Sequence, residues 1–437
     1  MRDRVFRNLA VVLTLFATLS ACEVTPENIE MWKGTQNGPE KIAAAVVNEK
    51  LVVNIRAQAA VALVQIGRWP ILEKAFEYMN DAEKSKVSDA MVPLLKNMLD
   101  DVSRPGVPKK SQVDAKDALM FIYPTTTAAE KPEVEQLLIG WVVGDFNSRF
   151  ITGQNGIKKI VATIGTPAYK AVAEMVKGDL PYLEPVCQLL KEGNNKEALA
   201  LASSNLAESF MKSGPNSTEL QFKAAAILGG EPLQKQLLGM AGNTELPSSV
   251  QRFALRAYAL NPNPADINTL FAIASNEKFD RFHREETYYA IAALKQKETL
   301  PRLMELMKSK DPFYRGVGFR VCLQVGGAEK LLEILTYTSK QNVKWTTDDL
   351  NEFVIKRIVL YRPEFLKPML EVLRKALGDP SPFVRAVAVY VLSHKGDKQD
   401  IEKLKPLSND RGRIQGFPRS TVGDAAKDAV KALEKKP

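Results

Sequence analysis

Between Gly193 and Gly396 the chain is punctuated at a nearly constant interval, and that periodicity constrains the fold more than any other feature. Turn-compatible breaks fall at Gly193, Gly229, Asn261, Lys295, Gly326, Tyr361 and Gly396, in steps of 36, 32, 34, 31, 35 and 35 residues. Each break divides an Ala/Val-rich stretch from a Leu-rich one, as at 224–229 before 232–238 and 387–396 before 401–404. Two helices of about 12 residues and two short turns fill such a step. One hairpin cannot bury its own apolar face, so successive hairpins must stack. Earlier breaks at Gly67, Pro124 and Gly165 are spaced by 57, 41 and 28 residues. The wide gap holds an additional helical segment at 82–99 and a Pro/Gly/Lys turn at 104–110, so residues 39–160 are expected to be irregular. With aromatics at 8%, a β-rich design is disfavoured.

Two phrases carry a family resemblance. Asp311-Pro312-Phe313-Tyr314-Arg315 and Asp379-Pro380-Ser381-Pro382-Phe383-Val384-Arg385 each precede an apolar run. They resemble HEAT repeats, in which an Asp-Pro leads into the second helix and a basic residue lies in its first turn. Weaker echoes begin at Ile55-Arg56-Ala57, Val250-Gln251-Arg252, Arg284-Glu285-Glu286 and Thr421-Val422-Gly423-Asp424. The resemblance implies an all-α solenoid of about ten HEAT-like hairpins over 39–437. Tetratricopeptide repeats, also about 34 residues long, are the alternative, but their Trp/Gly/Tyr/Pro phrase does not recur. Proline fits the first helical turn, where its missing N–H costs nothing, and aspartate can cap the same end. Scaffold roles are therefore expected for Asp311, Arg315, Asp379 and Arg385.

The N-terminus reads as an address. Arg2, Arg4 and Arg7 precede an apolar run from Leu9 to Leu19 that is too short to span a bilayer, the pattern of a secretory signal peptide. Leu19-Ser20-Ala21-Cys22 resembles the lipobox of bacterial lipoproteins. That resemblance implies removal of residues 1–21, acylation of Cys22 and a body facing the periplasm. Glu23, rather than the aspartate that retains lipoproteins in the inner membrane, points to the outer membrane. Three acyl chains, each contributing about 0.8 kcal/mol per buried CH₂, would anchor the chain durably. Residues 22–38, with Pro26, Gly34 and Gly38, are expected to form a flexible tether.

Charge and rare residues narrow the chemistry. The chain carries 60 Lys+Arg against 51 Asp+Glu, a formal +9, which becomes +7 once residues 1–21, with three Arg and one Asp, are removed. There are only two histidines, His283 and His394, and three cysteines, with no zinc-ligand spacing and no Gly-rich phosphate loop or nucleophile elbow. Neither histidine is followed by Glu, unlike the His-Glu pairs through which a HEAT-repeat hydroxylase family holds iron. No enzyme activity, metal site or cofactor is expected. Cys187 and Cys322 are expected to be buried apolar fillers rather than a disulfide.

Residues 408–420, SNDRGRIQGFPRS, interrupt the last hairpin. An insertion between the helices of a stacked hairpin lies at an edge, where such proteins bind. Arg411, Arg413, Ile414, Phe417 and Arg419 are the candidate binding residues, and an exposed loop of this kind should contribute little to stability. The leading functional expectation is a lipid-anchored scaffold that binds a protein or peptide segment in the cell envelope. The alternative is a polyanion binder for an acidic glycan, lipopolysaccharide or anionic lipid. A secreted chain has no nucleic-acid partner.

Overall fold

The computed structural model describes residues 24–99, 108–341, 344–361 and 363–436. The signal segment 1–21, Cys22 and most of the 104–110 turn lie outside the described residues. Among those described the chain is helical throughout, and its one strand-like feature is an isolated bridge between Arg413 and Thr421. The described residues divide into two compact units, one ending at Leu206 and the other beginning at Ala207.

In the first unit, Gly38–Val47 packs on Val53–Gln65, which packs on Asp81–Leu99, which in turn meets Lys110–Ile122. The expected tether is folded over most of its length. Pro26–Lys33 is a helix capped by Thr25, with Ile29 buried. An N-cap threonine, a proline in the first turn and one apolar side chain facing Val53–Gln65 suffice to order it.

In the second unit, first helices alternate with a row of second helices: Glu219–Leu228, Ser248–Ala259, Arg281–Ala293, the first half of Pro312–Lys340, 347–359, Pro382–Lys395 and Val422–Glu434. Each packs on the next. Their contact faces are rich in small buried residues such as Ala254, Ala257, Ala290, Ala292, Ala386 and Ala426, which let neighbouring backbones approach. The breaks read from the sequence are real turns. Gly165, Gly229 and Lys295 have φ of 80°, 65° and 55°, and Pro312–Lys340 reverses at Gly327, φ 56°, one residue beyond the expected break.

A shared clamp closes these hairpins. Arg315 is buried, and its Nη1 donates to the Ser309 and Lys310 carbonyls at 3.0 and 2.9 Å. Arg385 does the same to Asp379 and Pro380, at 2.7 and 3.0 Å. Arg56 Nε reaches the Val46 carbonyl at 2.8 Å, and Arg284 Nε reaches Ala274 at 2.8 Å. Gln251 fills the same role with its carboxamide, donating to Asn243 and Leu246 at 2.8 and 2.9 Å. The aspartates act separately, Asp311 as the N-cap of Pro312–Lys340 and Asp379 in the turn that leads to the Ser381 N-cap. Asp311 accepts from Phe313 N–H at 2.9 Å and Asp379 from Ser381 N–H at 2.8 Å. The carboxylates facing Arg315 and Arg385 come from the next hairpin: Asp349 at 3.9 Å from Arg315, and Asp410 in a two-pronged pair with Arg385 at 2.7 and 3.0 Å. Asp and Arg of one phrase therefore have distinct duties, and the scaffold expectation stands with a different pairing.

Further side-chain links join residues about one hairpin apart. Ser248 donates to Asp280 at 2.6 Å across 32 residues, Asn261 to the Ala226 carbonyl at 2.7 Å across 35, and Tyr337 to Glu305 at 2.8 Å across 32. In the irregular part of the first unit the steps are wider, 37 residues for Ser88 to Thr125 and 38 for Thr127 to Asp89.

Candidate binding surface

The inserted segment is built into the last hairpin. Asp410 accepts from Gly412 N–H at 2.7 Å while Arg385 holds its carboxylate. Ile414 N–H bonds the Ser420 carbonyl at 3.0 Å, and Val422 N–H bonds Gly412 at 3.0 Å, closing the loop at its base. Gly416, φ 82°, sits where a Cβ would come within 2.4 Å of the Trp345 carbonyl, so the tip folds back on the preceding hairpin.

The five candidate residues separate into two groups. Ile414 and Phe417 are buried, 7% and 8% exposed. Phe417 stacks on Tyr390 with centroids 5.4 Å apart and meets Phe383 edge-on at 5.5 Å. The expectation of an exposed insertion fails at these two positions, because the aromatic pair Phe383 and Tyr390 from the preceding helix offers a surface that the apolar loop residues cover. Arg411, Arg413 and Arg419 are exposed. Arg419 is held by Asp428 at 2.5 Å, and its N–H donates to the Tyr390 hydroxyl at 3.2 Å.

Asp410 gives this hairpin a pH dependence. The Arg385 guanidinium, followed by the Gly412 N–H, holds the Asp410 carboxyl below its ordinary 3.8 against a smaller opposing effect of burial. Stability from a lowered carboxyl is complete above the unfolded value and is lost as pH falls through the folded one. Asp410→Asn should therefore cost about 1–3 kcal/mol at neutral pH. The gap to wild type should close as the pH falls below the ordinary 3.8 and through the lowered value, as read by urea unfolding at a series of pH values. A constant gap across that range would remove Asp410 as its source.

A second surface was not singled out in the sequence. Along the row of second helices, Arg256 pairs with Glu286, 30 residues on. Tyr289 donates its hydroxyl to Glu285, while Arg320 Nη1 donates to the Tyr289 oxygen at 2.8 Å and its guanidinium lies 4.4 Å from that ring. Burial, then the Glu285 hydrogen bond, pushes the Tyr289 phenol well above its ordinary range, so it stays protonated. Arg256 and Arg320 are exposed, and Glu285, Glu286 and Tyr289 are half-buried. The signal available beforehand was register: polar residues on successive second helices, 30 or 31 positions apart, share one face.

The described cysteines and one of the two histidines are in the core. Cys187 and Cys322 are free and buried; burial raises the Cys187 thiol to about 12 and moves Cys322 in the same direction. His283 is buried with its ring 4.4 Å from Phe279, and burial lowers its pKa. His394 is exposed. Among the described residues no three His, Cys, Asp or Glu side chains form a group able to hold a metal ion. No described helix is long and apolar enough to cross a membrane. No protein-family model matches the sequence, and no curated protein matches it significantly.

Proposed function

We propose that this chain is a lipid-anchored scaffold of stacked HEAT-like hairpins whose body lies in the periplasm and binds a protein segment along the second-helix row. The observation that carries this reading is the polar and aromatic ladder of Arg256, Glu286, Glu285, Tyr289 and Arg320, which crosses three consecutive hairpins at the solvent. Arginine and tyrosine are the residue types that concentrate binding energy at interfaces. Here they are held in place by their neighbours, which lowers the entropy cost of engaging a partner. Arginine is matched by glutamate along the row, so the surface offers both donors and acceptors to a peptide backbone rather than a uniform field to a polyanion. The clamp geometry at Arg56, Gln251, Arg284, Arg315 and Arg385 supports the HEAT-like reading, and the lipobox at Cys22 supports the anchor.

The test is mild crosslinking of the anchored protein in cells, followed by recovery of partners. Arg256→Glu with Arg320→Glu should keep the melting temperature within a few degrees, since both side chains are exposed, and should reduce partner recovery at least ~10-fold. Labelled palmitate should enter wild type and not Cys22→Ser. Undiminished recovery with the charge-reversed pair would discard the row as the binding surface; equal labelling of both proteins would discard the anchor.

A further inference from the structure

The second unit also contains a cleft of about 610 Å³ between Glu231–Gly242 and Ile267–Ser275, lined by the first helices of two successive hairpins. Its apolar lining includes Leu238, Ile273 and Phe279, all buried. Gly239 lies inside the first of these helices, and a Cβ there would meet nothing within 4 Å. A glycine in a helix interior weakens the helix relative to alanine. At this position it makes no close packing in return, so its effect is to leave the cleft open.

The polar lining is unusual in what it leaves free. Asn263 and Asn276 each spend the carboxamide oxygen on a turn, accepting from Ala265 N–H at 3.1 Å and Lys278 N–H at 3.0 Å. Their NH₂ donors take no part in those turns. Asp266 accepts the Tyr258 hydroxyl on one oxygen at 3.0 Å, leaving the other as an acceptor. Thr269 adds a hydroxyl, and Glu231 and Lys235 bring opposite charges to the same rim. Amide donors, a carboxylate acceptor and a hydroxyl beside an apolar floor match a ligand with many hydroxyls on one face and C–H groups on the other. The charges do not sum to a positive field, which argues against an anion.

We infer that this cleft binds a short neutral oligosaccharide, with hydroxyls toward Asn263, Asp266, Thr269 and Asn276 and a sugar face toward Leu238 and Ile273. The site stands apart from the scaffold reading and does not depend on it.

Calorimetric titration of the full protein tests the assignment, with N,N′-diacetylchitobiose and maltotriose as neutral probes and trigalacturonate as the acidic control. Wild type should bind at least one neutral probe with a Kd of about 1 mM or tighter. Gly239→Leu, whose Cβ would meet nothing within 4 Å and whose side chain would occupy the cleft, should weaken that binding at least ~10-fold without lowering the melting temperature. Thr269→Tyr, on the exposed face of the opposite helix, should do the same and serves if the first variant misfolds. Absence of binding by both neutral probes, tighter binding of trigalacturonate, or undiminished binding by the filled variants would overturn the inference.

Discussion

Lys116→Met is expected to destabilise the first unit by about 3–5 kcal/mol, the usual consequence of breaking a buried ion pair from one side. Lys116 is completely buried. Its ammonium donates to Asp117 Oδ1 at 2.6 Å and to the Thr152 and Asn155 carbonyls at 2.9 and 2.7 Å, with the Trp141 ring 5.6 Å away. Asp117 in turn accepts Gln154 N–H at 2.9 Å, and Asn155 N–H and Nδ2 at 2.9 and 3.0 Å. Methionine fills the volume but leaves a buried carboxylate without its cation and two carbonyls without a donor. Urea unfolding should show a lower midpoint, and the amides of 152–156 should lose hydrogen-exchange protection first. Exposed Lys159→Met should change stability by less than about 0.5 kcal/mol. A pH signature accompanies the loss. Burial holds the Lys116 pKa below its ordinary 10.5 despite Asp117, so between the two values the unfolded chain binds the extra proton and wild-type stability rises with pH. The variant should lack that slope. Unfolding of Lys116→Met at the wild-type midpoint would show that the pair is not what holds 152–156.

Phe417→Ala should have the comparable effect on the second unit, about 3–5 kcal/mol, because a buried aromatic leaves both lost transfer energy and a cavity. The cavity would open between Tyr390 and Phe383, whose faces and edges Phe417 covers. Arg411→Ser with Arg413→Ser should leave the melting temperature nearly unchanged, since both side chains are exposed. The same loop thus gives opposite results from residues four to six positions apart. If Phe417→Ala melts with wild type, the aromatic stack contributes nothing. If the arginine pair destabilises as strongly as Phe417→Ala, the division of the loop into packing and exposed residues is incorrect.

Much of the architecture was legible because its causes are local or strictly periodic. Glycine at 165 and 229 marks helix ends at which φ is 80° and 65°, values open to glycine at little cost. Asp311 and Asp379 announce helix starts through bonds two residues away. Cys187 and Cys322 lie in apolar stretches and are buried. The surface proposed for binding was less legible. Arg256 and Arg320 look like ordinary solvated positions until Glu286 and Tyr289 are placed beside them by the stacking of the next hairpin.

The failures share one cause. Pro26–Lys33 reads as a tether because its single buried anchor, Ile29, depends on a helix some 25 residues later. Phe417 reads as exposed because its neighbours in sequence are polar, and only Phe383 and Tyr390, 34 and 27 positions earlier, bury it. Lys116 and Asp117 find their partners 36 to 39 residues away, in the part of the chain where no regular step predicts the register. Helix positions, caps, turns and the hairpin step were determined by the sequence itself, since each rests on backbone sterics, short-range hydrogen bonds or a period that can be counted. Which polar and aromatic side chains became clamp, core or surface was decided by the tertiary structure, because burial and pairing energies depend on what the adjacent hairpin brings into contact, and no local pattern encodes that.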